Sequence, residues 1–267
     1  PIALDNQIMH NTLIAHGLIN EYIHQKGCKV MGMATIIQSY PETCHPLDTL
    51  ESMNLQSEAF VFLDVFAKGT YNSYYLANMR NTGTMPEMLD GDLDIIKKGV
   101  TDSISISYYM STIAHYGEVT LTNEKDVVLK KNPYLEMPKS GWTIDPVGLR
   151  ITLRQIYDRY EKPIYVVENG FGCDDEVVDG KIEDDYRIDY MRKHIEQMKL
   201  AVEEGVDCRG YLMWGPTDIL SSRANMEKRY GVVYVNRDNK DLKDMRRIKK
   251  KSFEWYKEVI ASNGEHL

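Results

Sequence analysis

Glu168 stands in the run Ile164-Tyr165-Val166-Val167-Glu168-Asn169-Gly170-Phe171-Gly172. The β-branched residues before it read as a short buried strand, and the glycines after it as a tight turn. A carboxylate at the C-terminal tip of such a strand lies on the rim where parallel α/β proteins bind ligands, and it suits a nucleophile or a base. It equally suits a loop carboxylate that caps the next helix. The Gly-x-Gly also raises dinucleotide binding. The third glycine of that fingerprint is missing, however, and Cys173-Asp174-Asp175 would set two acids against a pyrophosphate.

A second candidate is Trp214-Gly215-Pro216-Thr217-Asp218-Ile219-Leu220-Ser221-Ser222, followed by Glu227-Lys228-Arg229-Tyr230-Gly231. Trp214 ends another strand on the same rim, where an aromatic face stacks on the apolar face of a sugar ring. Ser221, Lys228 and Tyr230 offer hydroxyl, ammonium and phenol donors, a set that suits a dianionic phosphate. A polar surface loop reads the same way. Tyr109, in Ser107-Tyr108-Tyr109 just past a strand end, is placed to donate to a carboxylate, although most of the 18 tyrosines must serve packing.

Three other patterns carry less. Glu21-x-x-His24 has di-iron spacing without visible partners and reads as a solvated helix face. The seven histidines show no metal-ligand spacing, so neither metal nor cofactor is expected. Lys249-Lys250-Lys251 with Arg246 and Arg247 reads as the exposed side of the last helix rather than as a nucleic-acid patch.

These residues need elements to hold them. Helical spacing runs from Asp5 to about Gln25, from Thr49 to Met79 with breaks near Gly69, from Asp145-Pro146 to Tyr160, from Asp184 to Glu204 and from Arg247 to Ser262. Strand candidates are Lys29–Ile37, Ser103–Tyr108, Pro163–Val167 and Arg209–Trp214, with a hairpin strand over Tyr230–Val235. Tyr40 to Pro46 reads as a loop, and His115 to Trp142 as a long loop with a hairpin. Strands alternating with helices imply βαβ units and a parallel sheet. A length of 267 residues fits a whole (β/α)8 barrel, whereas about four core strands fit half of one.

Composition excludes several classes. Apolar residues make up 43% and charged residues 27%, an ordinary globular balance. A net charge of −8 disfavours nucleic acid or an anionic membrane as partner, and no apolar run approaches the ~18 residues of a membrane span. Cys28, Cys44, Cys173 and Cys208 form no CxxC pair, so reduced thiols and a cytoplasmic location are expected.

Taken together, several segments resemble glycoside hydrolase family 1, and within it the bacterial 6-phospho-β-glucosidases. They are Val167-Glu168-Asn169-Gly170-Phe171-Gly172, Asp184-Asp185-Tyr186-Arg187-Ile188-Asp189-Tyr190, Trp214-Gly215-Pro216-Thr217-Asp218 and Lys228-Arg229-Tyr230-Gly231. Lys250-Lys251-Ser252-Phe253-x-Trp255-Tyr256, Ser107-Tyr108-Tyr109-Met110-Ser111 and Ile144-Asp145-Pro146-Val147-Gly148-Leu149-Arg150 join them, in order along nearly the whole chain. The resemblance implies a (β/α)8 barrel and a retaining mechanism in which one carboxylate attacks the anomeric carbon and another protonates the leaving oxygen, ~5 Å away. It makes Glu168 the nucleophile, Tyr109 the phenol that orients it and Trp214 the wall of the sugar subsite. Ordinary members carry Glu-Trp where this chain has Ser221-Ser222. A serine can donate to a 6-phosphate that a glutamate would repel, and Lys228 and Tyr230 match the residues that complete the phosphate pocket.

The family's acid/base glutamate belongs to a Thr-Phe-Asn-Glu motif that this chain lacks, and Pro1 aligns downstream of it. The resemblance therefore implies that residues 1–267 form the C-terminal half of the catalytic barrel, strands five to eight. Ser103-Ile104-Ser105 and Thr70-Tyr71-Asn72 depart from the family in packing positions. A half-barrel exposes two sheet edges and an apolar interior, so an insoluble, partly molten or assembled chain is expected, either as a homo-oligomer or with a complementing N-terminal half. The expected function is hydrolysis of 6-phospho-β-glucosides, with little activity from the chain alone. The alternative is a truncated, non-catalytic half-barrel that binds phosphosugars.

Overall fold

The structure is a computed structural model and describes residues 2–118, 130–138, 141–221 and 224–267. The chain opens with α1 (Ile2–Gln25), then β1 (Met31–Pro41), α2 (Pro46–Ala59), α3 (Val61–Lys68), α4 (Ser73–Thr82) and α5 (Asp92–Lys98). It continues through β2 (Ser103–Ala114), α6 (Pro146–Tyr160), β3 (Ile164–Asn169), α7 (Asp185–Glu203) and β4 (Cys208–Met213). A small ribbon of β5 (Val233–Val235) and β6 (Arg247–Lys249) precedes α8 (Lys251–Ala261).

The four long strands form one parallel sheet in the order β1-β2-β3-β4. Parallel neighbours require crossovers, and helices supply them. One sheet face carries Ala34, Ile36, Ile104, Ile106, Ile164 and Val166, all buried against Leu63, Leu149, Leu153 and Ile156 from the helices. On the strands themselves Met31, Met33 and Leu212 remain 52%, 41% and 52% exposed, as expected of an open sheet.

The long helical stretch breaks twice, at Phe60 and at Gly69, whose φ of 71° suits glycine. Asn72, the departure from the family pattern, caps α4: its Oδ1 accepts from the Tyr75 amide at 2.8 Å and its Nδ2 donates to Asp64. Asp145 does the same for α6, accepting from Gly148 N at 2.8 Å ahead of Pro146. Two loop and helix expectations are corrected. β1 runs to Pro41 because Gln38–Pro41 pair with Ser111–Ala114. Residues 247–249 form a ribbon strand, so the last helix starts only at Lys251. α5 shows no clear period in the sequence and was not expected. An isolated bridge joins Glu136 to Ile144, just beyond the segment 115–142 expected to hold a hairpin; residues 119–129 and 139–140 lie outside the described residues.

Candidate active site

Register places Glu168. Ile106 lies level with Val166 and both face the helices, but the next pair is Ser107 with Glu168, so Val167 is skipped. Without this slip strand alternation would turn Glu168 towards the helices. With it, Glu168 shares the open face with Ser107, whose hydroxyl meets that of Thr35 at 2.7 Å. The Tyr109 hydroxyl donates to Glu168 Oε2 at 3.0 Å. Burial, then the adjacent Glu168 charge, raise the pKa of Tyr109 far above the ordinary phenol value, so it stays a donor.

Asn169, fully buried, holds the strand end from the other side. Its Nδ2 donates to the Tyr108 carbonyl at 2.7 Å and to the Tyr190 hydroxyl at 3.1 Å, while its Oδ1 accepts from the Tyr211 hydroxyl at 2.6 Å. The Tyr190 hydroxyl in turn donates to the Tyr109 carbonyl at 3.2 Å. Three strands and α7 are thereby tied at the residues flanking the carboxylate.

Around Tyr109 stands an aromatic group. Tyr109 lies 5.4 Å from Trp142 and 6.2 Å from Tyr230, centroid to centroid, and Trp142 lies 6.4 Å from Tyr230. The Lys228 ammonium sits 3.4 Å over the Trp142 ring and 5.6 Å from that of Tyr230. Burial raises the Tyr230 phenol above its ordinary pKa. Gly172 permits this approach: a Cβ there would lie 2.6 Å from Tyr230 Cζ and 2.8 Å from Lys228 Cγ. Trp214 sits beside the end of β3, its amide donating to the Asn169 carbonyl at 2.8 Å and its Cβ packed over Gly170.

Ser221 is placed less directly. Its Oγ accepts from the Asn225 amide at 3.1 Å within a local turn, and Asn225 lines a cavity together with Gly172, Cys173 and Lys228. Ser222 lies outside the described residues. Glu168, Tyr109, Lys228, Tyr230 and Trp214 are thus brought to one rim, with Ser221 joined to it through Asn225. Trp142, absent from the expected set, belongs there too. Its only sequence signal is a large aromatic residue in a loop just ahead of the Asp145 cap.

Behind the rim lies a buried ion cluster. Arg187 pairs with Asp184 and, at 3.1 Å, with Asp175. Lys250 pairs with Asp175 and, at 2.8 Å, with Asp218. Arg229 pairs with Asp218 at 3.1 Å and donates to the carbonyls of Val235 and Arg237 at 2.9 and 2.6 Å. Three cations balance three carboxylates, and the side chain of every member is buried. Lys250 is 2% exposed, which corrects the reading of the lysine triplet as a wholly exposed face; only Lys249 and Lys251 are exposed. The cluster joins the loops after β3 and β4 to the starts of α7 and α8. It holds Arg229 inward, so that Lys228 and Tyr230, one residue away on each side, turn to the rim. His24, from the Glu21-x-x-His24 pattern, bonds Asp102 at 2.9 Å. Among the described residues no group of three or more His, Cys, Asp and Glu is arranged to hold a metal ion, and no helix is long and apolar enough to cross a membrane.

A parallel βα sheet with a phenol-bound carboxylate at its C-terminal rim places the protein in the (β/α)8-barrel class, of which it carries four strands. Residues 3–265 match glycosyl hydrolase family 1, and the chain belongs to that family. It is 42% identical to the aryl-phospho-β-D-glucosidase BglH of Bacillus subtilis (strain 168), across 98% of this chain and 57% of that protein. It is likewise 42% identical to the 6-phospho-β-glucosidase AscB of Escherichia coli (strain K12), across 98% of this chain and 56% of the relative. The family 1 β-glucosidase from Thermotoga maritima in complex with isofagomine lactam superposes with a TM-score of 0.85 at 27% identity, covering 99% of this chain and 58% of that one. The chain spans a little over half the length of the curated relatives it matches.

Proposed function

We propose that the chain carries the nucleophile and the phosphate-recognition part of a retaining 6-phospho-β-glucosidase, as the C-terminal half of its catalytic barrel. Glu168 attacks the anomeric carbon, the glycosidic oxygen leaves with a proton from a second carboxylate, and water then releases the sugar from Glu168. Tyr109 fixes which carboxylate oxygen is free to attack. Trp214 walls the sugar subsite. Lys228, Tyr230 and the Ser221-Ser222 pair receive the 6-phosphate. One observation supports this most: the 3.0 Å bond from Tyr109 to Glu168 stands on the same rim as the Lys228–Tyr230 pair.

The proton donor of the family motif is not among these residues. Departure of an unactivated leaving group therefore depends on a complementing N-terminal βα segment, or on a second copy of the chain, completing the barrel. The exposed Met31, Met33 and Leu212 on the open sheet support that reading. The free thiols of Cys28, Cys44, Cys173 and Cys208 suit a cytoplasmic location.

The test is hydrolysis of an activated aryl 6-phospho-β-glucoside beside its unphosphorylated twin. An activated leaving group largely dispenses with general-acid help, worth ~10²–10⁴ in rate. Turnover of the phosphorylated compound alone, lost in Glu168→Gln, is the expected result. A folded chain that hydrolyses neither compound, yet binds the phosphorylated one, would make it a non-catalytic phosphosugar-binding half-barrel.

A further inference from the structure

Tyr109 carries the hydroxyl that meets Glu168, yet its own backbone has no register partner on either neighbouring strand among the described residues. On the β1 side Ile36 pairs with Tyr108, and the register resumes only at Gln38 with Ser111, so Tyr109 and Met110 are passed over. On the β3 side the last pair is Ser107 with Glu168. Register pairing is what normally fixes where each residue of a parallel strand stands. At Tyr109 another element takes over that task.

That element is α7. The Tyr190 hydroxyl donates to the Tyr109 carbonyl at 3.2 Å and accepts from Asn169 Nδ2 at 3.1 Å. Asn169 Nδ2 also donates to the Tyr108 carbonyl at 2.7 Å, so two successive carbonyls of β2 are held by one linked pair of side chains. The Tyr190 ring is fixed as well. It is buried, stacks on His194 with centroids 3.9 Å apart and packs against Phe171 at 5.4 Å. One turn earlier Arg187 anchors α7 in the buried ion cluster. Burial raises the Tyr190 pKa far above the ordinary phenol value, so its hydroxyl keeps the proton it donates.

We propose that Tyr190 is a positioning residue for nucleophilic attack: by holding the Tyr109 carbonyl, its hydroxyl sets the reach of the Tyr109 side chain and so the direction in which the Glu168 carboxylate faces. This rests on the reading of Glu168 as nucleophile and extends it outward into α7. With its carbonyl released, Tyr109 keeps its phenol but aligns Glu168 less well, and a small misplacement of a reacting atom is costly in rate. Tyr190 acts only through Tyr109, so its effect depends on the Tyr109 hydroxyl being present.

The test is a double-mutant cycle read by covalent labelling. The 267-residue chain is incubated with 2-deoxy-2-fluoro-β-glucosyl fluoride 6-phosphate, and mass spectrometry gives the rate constant of labelling at Glu168 and the half-saturating reagent concentration. Tyr190→Phe, Tyr109→Phe and the double variant are compared with wild type, circular dichroism confirming the fold of each. Tyr190→Phe should lower the rate constant by about three- to tenfold, the size of one lost neutral hydrogen bond, and leave half-saturation within about twofold. Added to Tyr109→Phe, the same change should cost less than about twofold. Tyr190→para-aminophenylalanine, whose amino group donates in place of the hydroxyl, should restore most of the rate. An equal loss in both backgrounds, no loss in Tyr190→Phe, or no rescue in a folded para-aminophenylalanine variant would overturn the positioning role and leave Tyr190 as packing alone. A folded wild-type chain that is not labelled at Glu168 would overturn the nucleophile reading itself, and the positioning role with it.

Discussion

Tyr109 on β2 and Glu168 on β3 meet through a 3.0 Å hydrogen bond that exists only because the two strands slip by one residue between Ile106 and Ser107. The slip turns Glu168 from the packed face of the sheet to the open one. The phenol then takes one of its two oxygens and leaves the other for chemistry.

Tyr109→Phe should therefore slow attack on an activated aryl 6-phospho-β-glucoside by about 10- to 100-fold, the range of a hydrogen bond to a charged group. KM should change much less, because the bond acts on Glu168 and not on the sugar. Steady-state kinetics of wild type and variant check this.

Asp218→Asn should destabilise the fold strongly. Asp218 faces Lys250 at 2.8 Å and Arg229 at 3.1 Å, all three buried. Removing one charge leaves two cations undercompensated, a change of about 3–5 kcal/mol. Thermal melts should show a fall of roughly 6–15 °C. Lys249→Met, next to the cluster in sequence but exposed, should stay within about 0.5 kcal/mol of wild type.

His194 makes stability depend on pH. It is fully buried, stacks on Tyr190 with ring centroids 3.9 Å apart and donates from Nδ1 to the Tyr190 carbonyl at 2.7 Å. Its Nε2 has no hydrogen-bond partner among the described residues. Burial holds the ring neutral and pushes its pKa down from 6.5 to about 4. The unfolded chain takes up this proton near pH 6.5 and the folded chain only near 4, so between them the unfolded state binds more protons. The contribution is complete above pH 6.5 and is lost as pH falls towards 4, on the order of 3 kcal/mol in all. Urea unfolding at pH 7 and pH 4.5 should show this slope in wild type and a shallower one in His194→Gln.

Gly172→Ala should weaken phosphate recognition with the fold retained. The backbone conformation there is open to any residue, so the penalty is contact alone: the new methyl meets Tyr230 Cζ at 2.6 Å and Lys228 Cγ at 2.8 Å. Overpacking of this kind costs about 1–3 kcal/mol. Titration with glucose 6-phosphate should show roughly a tenfold or greater loss of affinity, with the circular dichroism spectrum unchanged.

Much of this site is legible in the sequence because its parts sit in single short segments. Glu168 follows a β-branched strand and precedes glycines, while Lys228 and Tyr230 flank one residue. Trp142 was hidden in an aperiodic loop whose path depends on packing against Tyr109 and Tyr230. The ion cluster was hidden for a different reason. Its six members come from four separated segments, and Lys250 lies in a lysine triplet whose charge count cannot show which one turns inward. The register slip that aims Glu168 is equally invisible, since alternation along Val166-Val167-Glu168 alone puts the carboxylate on the packed face.

The nucleophile assignment is tested most directly by trapping. The folded chain is incubated with 2-deoxy-2-fluoro-β-glucosyl fluoride 6-phosphate, whose fluoride leaves without acid help and whose 2-fluorine slows release of the covalent sugar. Digestion and mass spectrometry should find the phosphorylated fluorosugar on Glu168, absent from Glu168→Gln and much slower to form with the unphosphorylated reagent. A folded chain left unlabelled, or labelled on another residue, would contradict the assignment.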